Sequence, residues 1–310
     1  MSDVVATTHG ETAVRGRSLA QDAFRRFVRH PTGITGVAIL IVFLLLTSLA
    51  PVLRHQDPLR GNLRLRMLPP TWTMGAAELQ QRDLGRFAYP MGTDALGRDI
   101  LTRVLYGGRI SLRVGLEAVL MAAALGTLLG LIAGFFGGWL DTFIVWFVDI
   151  LLAFPGILLA IAIVAALGQS LLNALIAISI TYVPVYIRIV RSVALTLRQT
   201  EYVQAARALG SRSNRIILAH VLPNGLSPLM VQFTLSIGTA ILDVAALGFL
   251  GLGARPPSPE WGAMISDGFG RFRVAPWLSI FPGIAIFFSV VGFNLLGDAI
   301  RDVLDPRLKH

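Results

Sequence analysis

Four long stretches of this chain contain no acidic or basic residue, and they constrain its fold more than any other feature. They cover residues 31–53, 118–140, 150–187 and 274–297. A helix needs about 20 apolar residues to cross a bilayer, so each stretch can supply at least one span. A fifth apolar stretch, 226–250, is interrupted only by Asp243. The pattern predicts an all-α integral membrane protein.

The longest charge-free stretch is too long for one span, and Gly168-Gln169-Ser170 divides it into two. We therefore expect six transmembrane helices, near 33–53, 111–136, 142–166, 170–190, 226–250 and 278–299. The composition agrees, since 54% of the residues are apolar and only 15% are charged. The first apolar run follows a polar tail, and we expect it to remain as a span and not to be cleaved as a signal peptide.

The chain carries 27 basic and 18 acidic side chains, a formal net charge of +9. On a membrane protein, this charge indicates loops beside anionic lipid, not a nucleic-acid partner. With the long loop 54–110 discounted, the positive-inside rule places both termini in the cytoplasm. The predicted organisation is a cytoplasmic tail (1–32), a first helix (33–53), an extracytoplasmic loop with an interfacial helix (54–109), a five-helix core (110–299) containing a cytoplasmic loop (191–225), and a cytoplasmic tail (300–310).

Two amphipathic segments precede predicted spans. LAQDAFRRFVRHP, residues 19–31, is expected to lie on the cytoplasmic membrane surface. MGTDALGRDILTRVLYGGRISL, residues 91–112, predicts an interfacial helix that ends at Gly107-Gly108. One face of this helix, with Ile100, Val104 and Tyr106, would lie against the bilayer or the tops of the other helices. The other face, with Asp99, Arg103 and Arg109, would face polar surroundings. The alternative is a platform for an external partner.

Small residues recur every four positions in the second predicted span, at Ala122, Gly126, Gly130, Gly134 and Gly138. Such a stripe lets two helix backbones approach closely within a bilayer, where the hydrophobic effect gives no drive to associate. The stripe predicts a helix-packing interface, either within the chain or with a second membrane subunit.

Asp149 and Asp243 lie inside predicted spans, where an ionisable group is a candidate for function. Each could line a translocation path or make an interhelical hydrogen bond. Glu117 and Arg188 lie nearer helix ends, from which their side chains can reach the interface. Pro155-Gly156 can bend the third span.

Several chemical signatures are absent from the sequence. It contains no GxxxxGK[ST], HExxH or GxSxG pattern and no cysteine. The sequence therefore lacks the residues for ATP binding by a P-loop, for a thiolate or paired-histidine metal site, and for a serine-hydrolase site. We expect a non-catalytic chain that binds no cofactor or metal of its own.

EYVQAARALGSRSNRIILAHVLPN, residues 201–224, is a basic stretch with helical periodicity. It predicts a helix over 201–209 that ends at Gly210, then serine caps at Ser211 and Ser213 and a second helix stopped at Pro223. The helical spacing places Tyr202, Ala205, Ala206 and Leu209 on one face. That face could enter a groove on another protein, with Arg207, Arg212 and Arg215 for charged contacts. The alternative is a helical hairpin that packs under its own bundle.

This stretch resembles the EAA loop of binding-protein-dependent ABC importer permeases. Ala205, Ala206 and Gly210 match the loop pattern, and Leu222-Pro223 follow Gly210 at its spacing. Gln204 replaces the glutamate of the pattern, with Glu201 three residues earlier, and His220 replaces its isoleucine. Three further stretches are similar to the C-type permease subunit of the dipeptide/oligopeptide/nickel branch: 91–115, 249–268 and 294–309.

The resemblance extends over residues 30–309, and it implies a type I ABC importer permease fold with one extra N-terminal helix. It also implies a second homologous permease, two ATP-binding subunits that hold ATP and Mg, and an extracytoplasmic solute-binding protein. The residues matched to the coupling loop are Glu201, Tyr202, Gln204, Ala205, Ala206, Arg207, Leu209, Gly210, Ser211, Arg212, Arg215 and Pro223.

The implied function is import of di- or oligopeptides across a prokaryotic inner membrane, with a nickel chelate as the alternative substrate. In this reading the helix at 201–210 is a coupling helix, held in a cleft of an ATPase whose closure moves the permease helices. A rival interpretation from the residues alone is a self-sufficient secondary transporter or channel, with Asp149 and Asp243 as proton or cation sites. A third is a membrane scaffold without transport.

Overall fold

The computed structural model describes residues 25–304, and within this range every regular element is helical. The longer helices are α1 (Pro31–Ser48), α2 (Ile100–Phe136), α3 (Gly138–Leu152), α4 (Gly156–Leu167), α5 (Leu171–Arg198), α6 (Glu201–Ala208), α7 (Leu222–Phe249), α8 (Trp261–Phe269) and α9 (Trp277–Leu304). The shorter helical pieces are Ala50–Leu53, Leu63–Leu65, Thr71–Thr73, Ala76–Gln81, Ser213–Ile216 and a π-helical turn at Ile217–Val221. The expected surface helix at 19–31 begins outside the described residues.

Five of these helices, α1, α2, α5, α7 and α9, are long and apolar enough to cross a bilayer. Helices α3 and α4 make a sixth candidate span, bent by 93° at a short break. Pro155 lies in that break, where its missing N–H and its ring prevent α3 from continuing. The fold is thus the all-α membrane bundle that the sequence predicts, with five continuous candidate spans and, in place of a straight third span, the bent pair α3 and α4.

Helix α2 begins at Ile100 and not near 111, so the predicted interfacial helix and second span are one continuous helix. Gly107 and Gly108 do not release the chain. A Cβ at Gly107 would lie 2.0 Å from the carbonyl oxygen of Pro259, and one at Gly108 would lie 2.3 Å from the Thr47 side chain. The two glycines therefore allow close packing of α2 against α1 and an outer loop.

The charged residues at the start of α2 are buried and paired. Asp99 caps the helix by accepting a hydrogen bond from the Thr102 N–H at 3.1 Å. Asp94 lies 2.6 Å from Arg98 and 3.7 Å from Arg103, and Arg103 also donates to the carbonyls of Pro58 and Pro257. Ile100 and Val104 are buried as well, so this segment belongs to the protein core and not to the bilayer interface.

The glycine stripe packs α2 against α5 within this chain. A Cβ at Gly130 would lie 2.8 Å from both the Ile187 carbonyl oxygen and the Val190 Cβ. Gly126 and Gly134 meet the same helix at similarly short distances. Gly138 is not part of this contact, because it begins α3 with φ +63° and open space around its Cα.

Helix α1 packs along α9 on the outside of the remaining helices. A Cβ at Gly33 would lie 2.8 Å from Ala299, and one at Gly36 would lie 2.9 Å from the Gly292 carbonyl oxygen. We call the end of the bundle that holds residues 199–221 the inner end, and the end that holds residues 54–99 and 250–276 the outer end. The first helix thus runs from the inner end to the outer end beside the core.

Candidate functional site

Helix α6 is a short helix at the inner end, in the loop between α5 and α7. Val203 is fully buried and Ala206 is partly buried against the core. Tyr202, Ala205 and Leu209 are exposed, with Leu209 retaining 87% of its accessible surface. The predicted apolar face is therefore divided, since Ala206 points inward and the other three residues point away from the bundle.

Gly210 ends this segment in a left-handed conformation, with φ +80°. Its N–H donates to the Arg207 carbonyl at 2.9 Å, and the Ser211 N–H donates to the Ala206 carbonyl at 3.0 Å. These two bonds form a Schellman motif, in which glycine is favoured because it has no Cβ to strain. The outward face of α6 thus ends in a defined turn.

The chain after Gly210 differs from the prediction in two ways. Ser211 and Ser213 do not cap the next helix, since Arg212 holds the N-cap position without a side-chain bond. Pro223 does not stop that helix, because it lies in the first turn of α7, where its missing N–H is tolerated. The segment from Ser213 through the π-helical turn therefore continues directly into α7.

Aromatic contacts hold α6 against its neighbours. The Arg207 guanidinium carbon lies 4.8 Å from the centre of the Phe135 ring, at the end of α2. The ring of Tyr202 lies 5.8 Å from that of His220, just before α7. Gln204 donates to the Gln199 carbonyl at 3.1 Å. The helix is thus attached to the ends of several spans, while other side chains of the loop remain exposed: Glu201, Ala208, Arg212 and Arg215.

The two intramembrane aspartates have different surroundings. The Tyr182 hydroxyl donates to Asp243 at 2.8 Å, which links α5 to α7 in a partly buried site. Asp149 lies 2.9 Å from Arg188, and the two side chains remain 58% and 60% exposed. The sequence predicts that Arg188 reaches toward the membrane interface, but its side chain instead pairs with Asp149 of α3. The structure therefore does not bring the two aspartates together into one site.

Asp141 and Arg191 form a second ion pair between α3 and α5, at 2.8 Å, that the sequence did not predict. Its only sequence signal is that Asp141 is the first charge after the run 118–140. The anchoring roles of Val203 and Phe135 were also missed, because both look like ordinary apolar residues.

Among residues 25–304, no group of three His, Asp or Glu side chains could hold a metal ion.

Glu260 is a buried acid at the outer end that sequence reasoning also missed. It caps α8, accepting from the N–H groups of Gly262 and Ala263 at 2.8 Å and from the Ser111 hydroxyl at 3.2 Å. Burial raises the pKa of Glu260, and the three donated hydrogen bonds partly counteract the increase. Glutamate is not one of the residues usually found at an N-cap, so the sequence carries no clear signal for this cap.

Comparison with known proteins identifies the family. The sequence profile of the binding-protein-dependent transport system inner membrane component matches residues 126–310. The chain belongs to this family. The profile of the N-terminal transmembrane domain of oligopeptide transport permease C matches residues 18–70 of the permease, which include α1. Helix α1, which precedes the five-helix core, therefore belongs to the part of the permease that matches this N-terminal domain.

Curated relatives resemble the permease over most of its length. The dipeptide transport system permease protein of Alkalihalophilus pseudofirmus is 48% identical over 93% of this chain and 90% of its own. The corresponding protein of Haemophilus influenzae is 42% identical over 94% of this chain and 95% of its own. A glutathione transport system permease protein of Salmonella typhimurium is 51% identical over 70% of this chain and 72% of its own.

Among solved structures, the permease resembles a chain of the MetNI methionine ABC transporter in an inward-facing conformation. The TM-score is 0.54 at 18% sequence identity, over 65% of this chain and 96% of that one. This likeness supports the ABC importer permease fold, which nearly all of that chain shares with about two thirds of this one.

Proposed function

We propose that this permease is the membrane-spanning subunit of an ATP-driven peptide importer and that α6 couples it to the ATPases. The observation that carries the coupling role is the exposed outward face of α6, on a helix attached by Val203 and Arg207 to the transmembrane core. A groove on a partner could take Tyr202, Ala205 and Leu209 without unfolding the bundle.

In this proposal the inner end is cytoplasmic, as are both termini, in a prokaryotic inner membrane. Two ATP-binding subunits hold ATP and Mg, a second homologous permease completes the route, and a solute-binding protein docks at the outer end. This chain itself catalyses no reaction. Movement of an ATPase displaces α6, and the connected ends of α5 and α7 transmit that displacement to the route.

The proposed substrate class is peptides, because two of the relatives are dipeptide permeases and the third is a glutathione permease. A nickel chelate is the alternative, and uptake of radioactive nickel by the same vesicles measures it directly. The family membership favours a subunit of a larger assembly over a self-sufficient secondary transporter.

The test uses the complete complex in proteoliposomes with its binding protein and a radiolabelled dipeptide. We expect Leu209→Glu to abolish ATPase binding or uncouple hydrolysis from uptake, because it places a charge at the C-cap of α6, next to its outward face. Leu218→Glu is the matched control, since Leu218 is also exposed at the inner end but lies beyond the Gly210 turn, in the π-helical segment before α7. Unchanged uptake in Leu209→Glu, with a normally folded permease, would contradict the coupling role.

A further inference from the structure

The ion pair between Asp149 and Arg188 lies inside the apolar zone of the bundle. Arg188 belongs to the part of α5 that packs on Gly130 of α2, between Ile187 and Val190. Gly130 is six residues from the end of α2 at Phe136, which places this level about 9 Å inside the inner end. The Arg188 guanidinium donates to the Asp149 carboxylate at 2.9 Å, and this ion pair joins α5 to α3.

The exposure of this pair is incompatible with contact with hydrocarbon. Both side chains keep more than half of their accessible surface, 60% for Arg188 and 58% for Asp149. Charged groups in a membrane bundle face a water-filled cavity or a protein partner because hydrocarbon does not solvate them. The pair must therefore face a polar environment beside this chain.

The broken span gives a second, independent indication at the same place. Helix α3 ends at Leu152, shortly after Asp149, and the chain turns by 93° before α4. Residues 152–156 are all exposed, so this chain does not bury the irregular backbone. Irregular backbone at membrane depth is tolerated where it lines an aqueous cavity or is covered by protein.

A polar stripe leads from the pair toward the inner end. Ser192 and Thr196 follow Arg188 at intervals of four residues on α5, and all three are exposed. Both hydroxyls donate to carbonyls of their own helix, and their exposed oxygens can still accept hydrogen bonds from water. The stripe provides a hydrophilic surface between the ion pair and the inner end.

We propose that the Asp149–Arg188 pair faces the translocation route and binds the two charged ends of a passing peptide. The peptide carboxylate binds the guanidinium of Arg188, and the peptide ammonium binds the carboxylate of Asp149. Both contacts are charge-assisted hydrogen bonds, which are stronger than neutral ones. The inference rests on the proposed function, since it names the group on the permease that recognises the peptide class.

The first experiment measures access of water to the pair. The chain contains no cysteine, so single cysteines in this subunit can be labelled without background from it. In the complete complex, we expect a membrane-impermeant methanethiosulfonate to modify Asp149→Cys, Arg188→Cys and Ser192→Cys. Ala194→Cys is the negative control, because Ala194 is fully buried on the same helix. Absence of labelling at Asp149→Cys and Arg188→Cys would overturn the proposal.

The second experiment measures dipeptide uptake and ATP hydrolysis together in proteoliposomes with saturating binding protein. We expect Arg188→Gln and Asp149→Asn each to lower uptake about tenfold, the effect of losing one charge-assisted hydrogen bond. ATP hydrolysis should remain within about twofold of wild type, since the ATPases and the binding protein are unchanged. A merely structural pair would lower both rates together, and unchanged uptake would also contradict the proposal.

The matched control is the pair Arg113–Glu117, which is exposed and bonded at 2.6 Å but lies nearer the outer end of α2. Arg113→Gln should leave uptake unchanged. Failure of the wild-type complex to import any peptide would instead contradict the proposed function.

Discussion

The guanidinium carbon of Arg207 lies 4.8 Å from the centre of the Phe135 ring, so α6 rests on the last turn of α2. Phe135 itself is buried, and its carbonyl accepts a hydrogen bond from Arg198 at the end of α5. One residue of α2 therefore contacts both the helix that precedes the loop and the helix within it. This arrangement makes the end of α2 a part of the proposed coupling device.

Arg207→Gln should weaken this connection without removing α6. A cation–π contact of this kind contributes about 1 kcal/mol, so we expect roughly a fivefold rise in ATP hydrolysed per peptide imported. The measurement is hydrolysis and uptake in the same vesicles. Arg64→Gln is the control, because Arg64 is an exposed arginine of the outer loop. Equal ratios in the two variants would show that the contact does not contribute to coupling.

Gly130→Ala should destabilise the permease, because a Cβ there meets Ile187 and Val190 at 2.8 Å. Overpacking of this kind costs about 1–3 kcal/mol, and thermal unfolding of the purified complex measures it. Gly283→Ala is the same substitution in α9, where the space around a Cβ is open within 4 Å. It should be neutral or stabilising, and equal melting temperatures for the two variants would contradict the packing argument.

Tyr182→Phe should lower stability, because it leaves the Asp243 carboxylate without the hydroxyl that donates to it at 2.8 Å. An unpaired buried polar group costs about 1–3 kcal/mol, again measured by thermal unfolding. Tyr186→Phe is a close control on the same helix, since the Tyr186 hydroxyl is buried and has no hydrogen-bond partner among the described residues. A larger loss in Tyr186→Phe than in Tyr182→Phe would refute this account.

Glu260 should make the stability of the permease depend on pH. Burial raises its pKa in the folded state above the ordinary value of 4.5, so the folded chain retains the proton at a higher pH than the unfolded chain. The contribution of Glu260 to stability therefore falls as pH rises from 4.5 through the folded pKa. Melting temperatures of wild type and Glu260→Gln across this range measure the effect. Their difference should change with pH, and parallel curves would exclude it.

The sequence predicted the spans because charge-free runs of sufficient length have few alternatives to a transmembrane helix. It could not place their ends well. Gly107-Gly108 and Pro223 are usual signals of a helix boundary, yet tertiary packing and the first-turn position accommodate them within helices. Boundary signals are local, whereas the contacts that override them come from distant segments such as Thr47 and Pro259.

The candidate site was only partly visible in the sequence. The motif located α6 and the Gly210 turn, because left-handed backbone favours glycine. It did not show that Ala206 points inward or that Val203 anchors the helix, since a pattern of small residues does not indicate which side meets the core. Pairs such as Asp149 with Arg188 join residues far apart in the chain, so a single sequence does not reveal them.

The uninterrupted course of α2 has a mechanical consequence. Its 37 residues extend about 55 Å, from the buried Asp94–Arg103 cluster to the Phe135 ring. If this helix tilts by about 5° as a rigid body, one end moves by about 5 Å relative to the other. A displacement of the loop that contains α6 can therefore reach the outer end through this one helix, without a series of separate local changes.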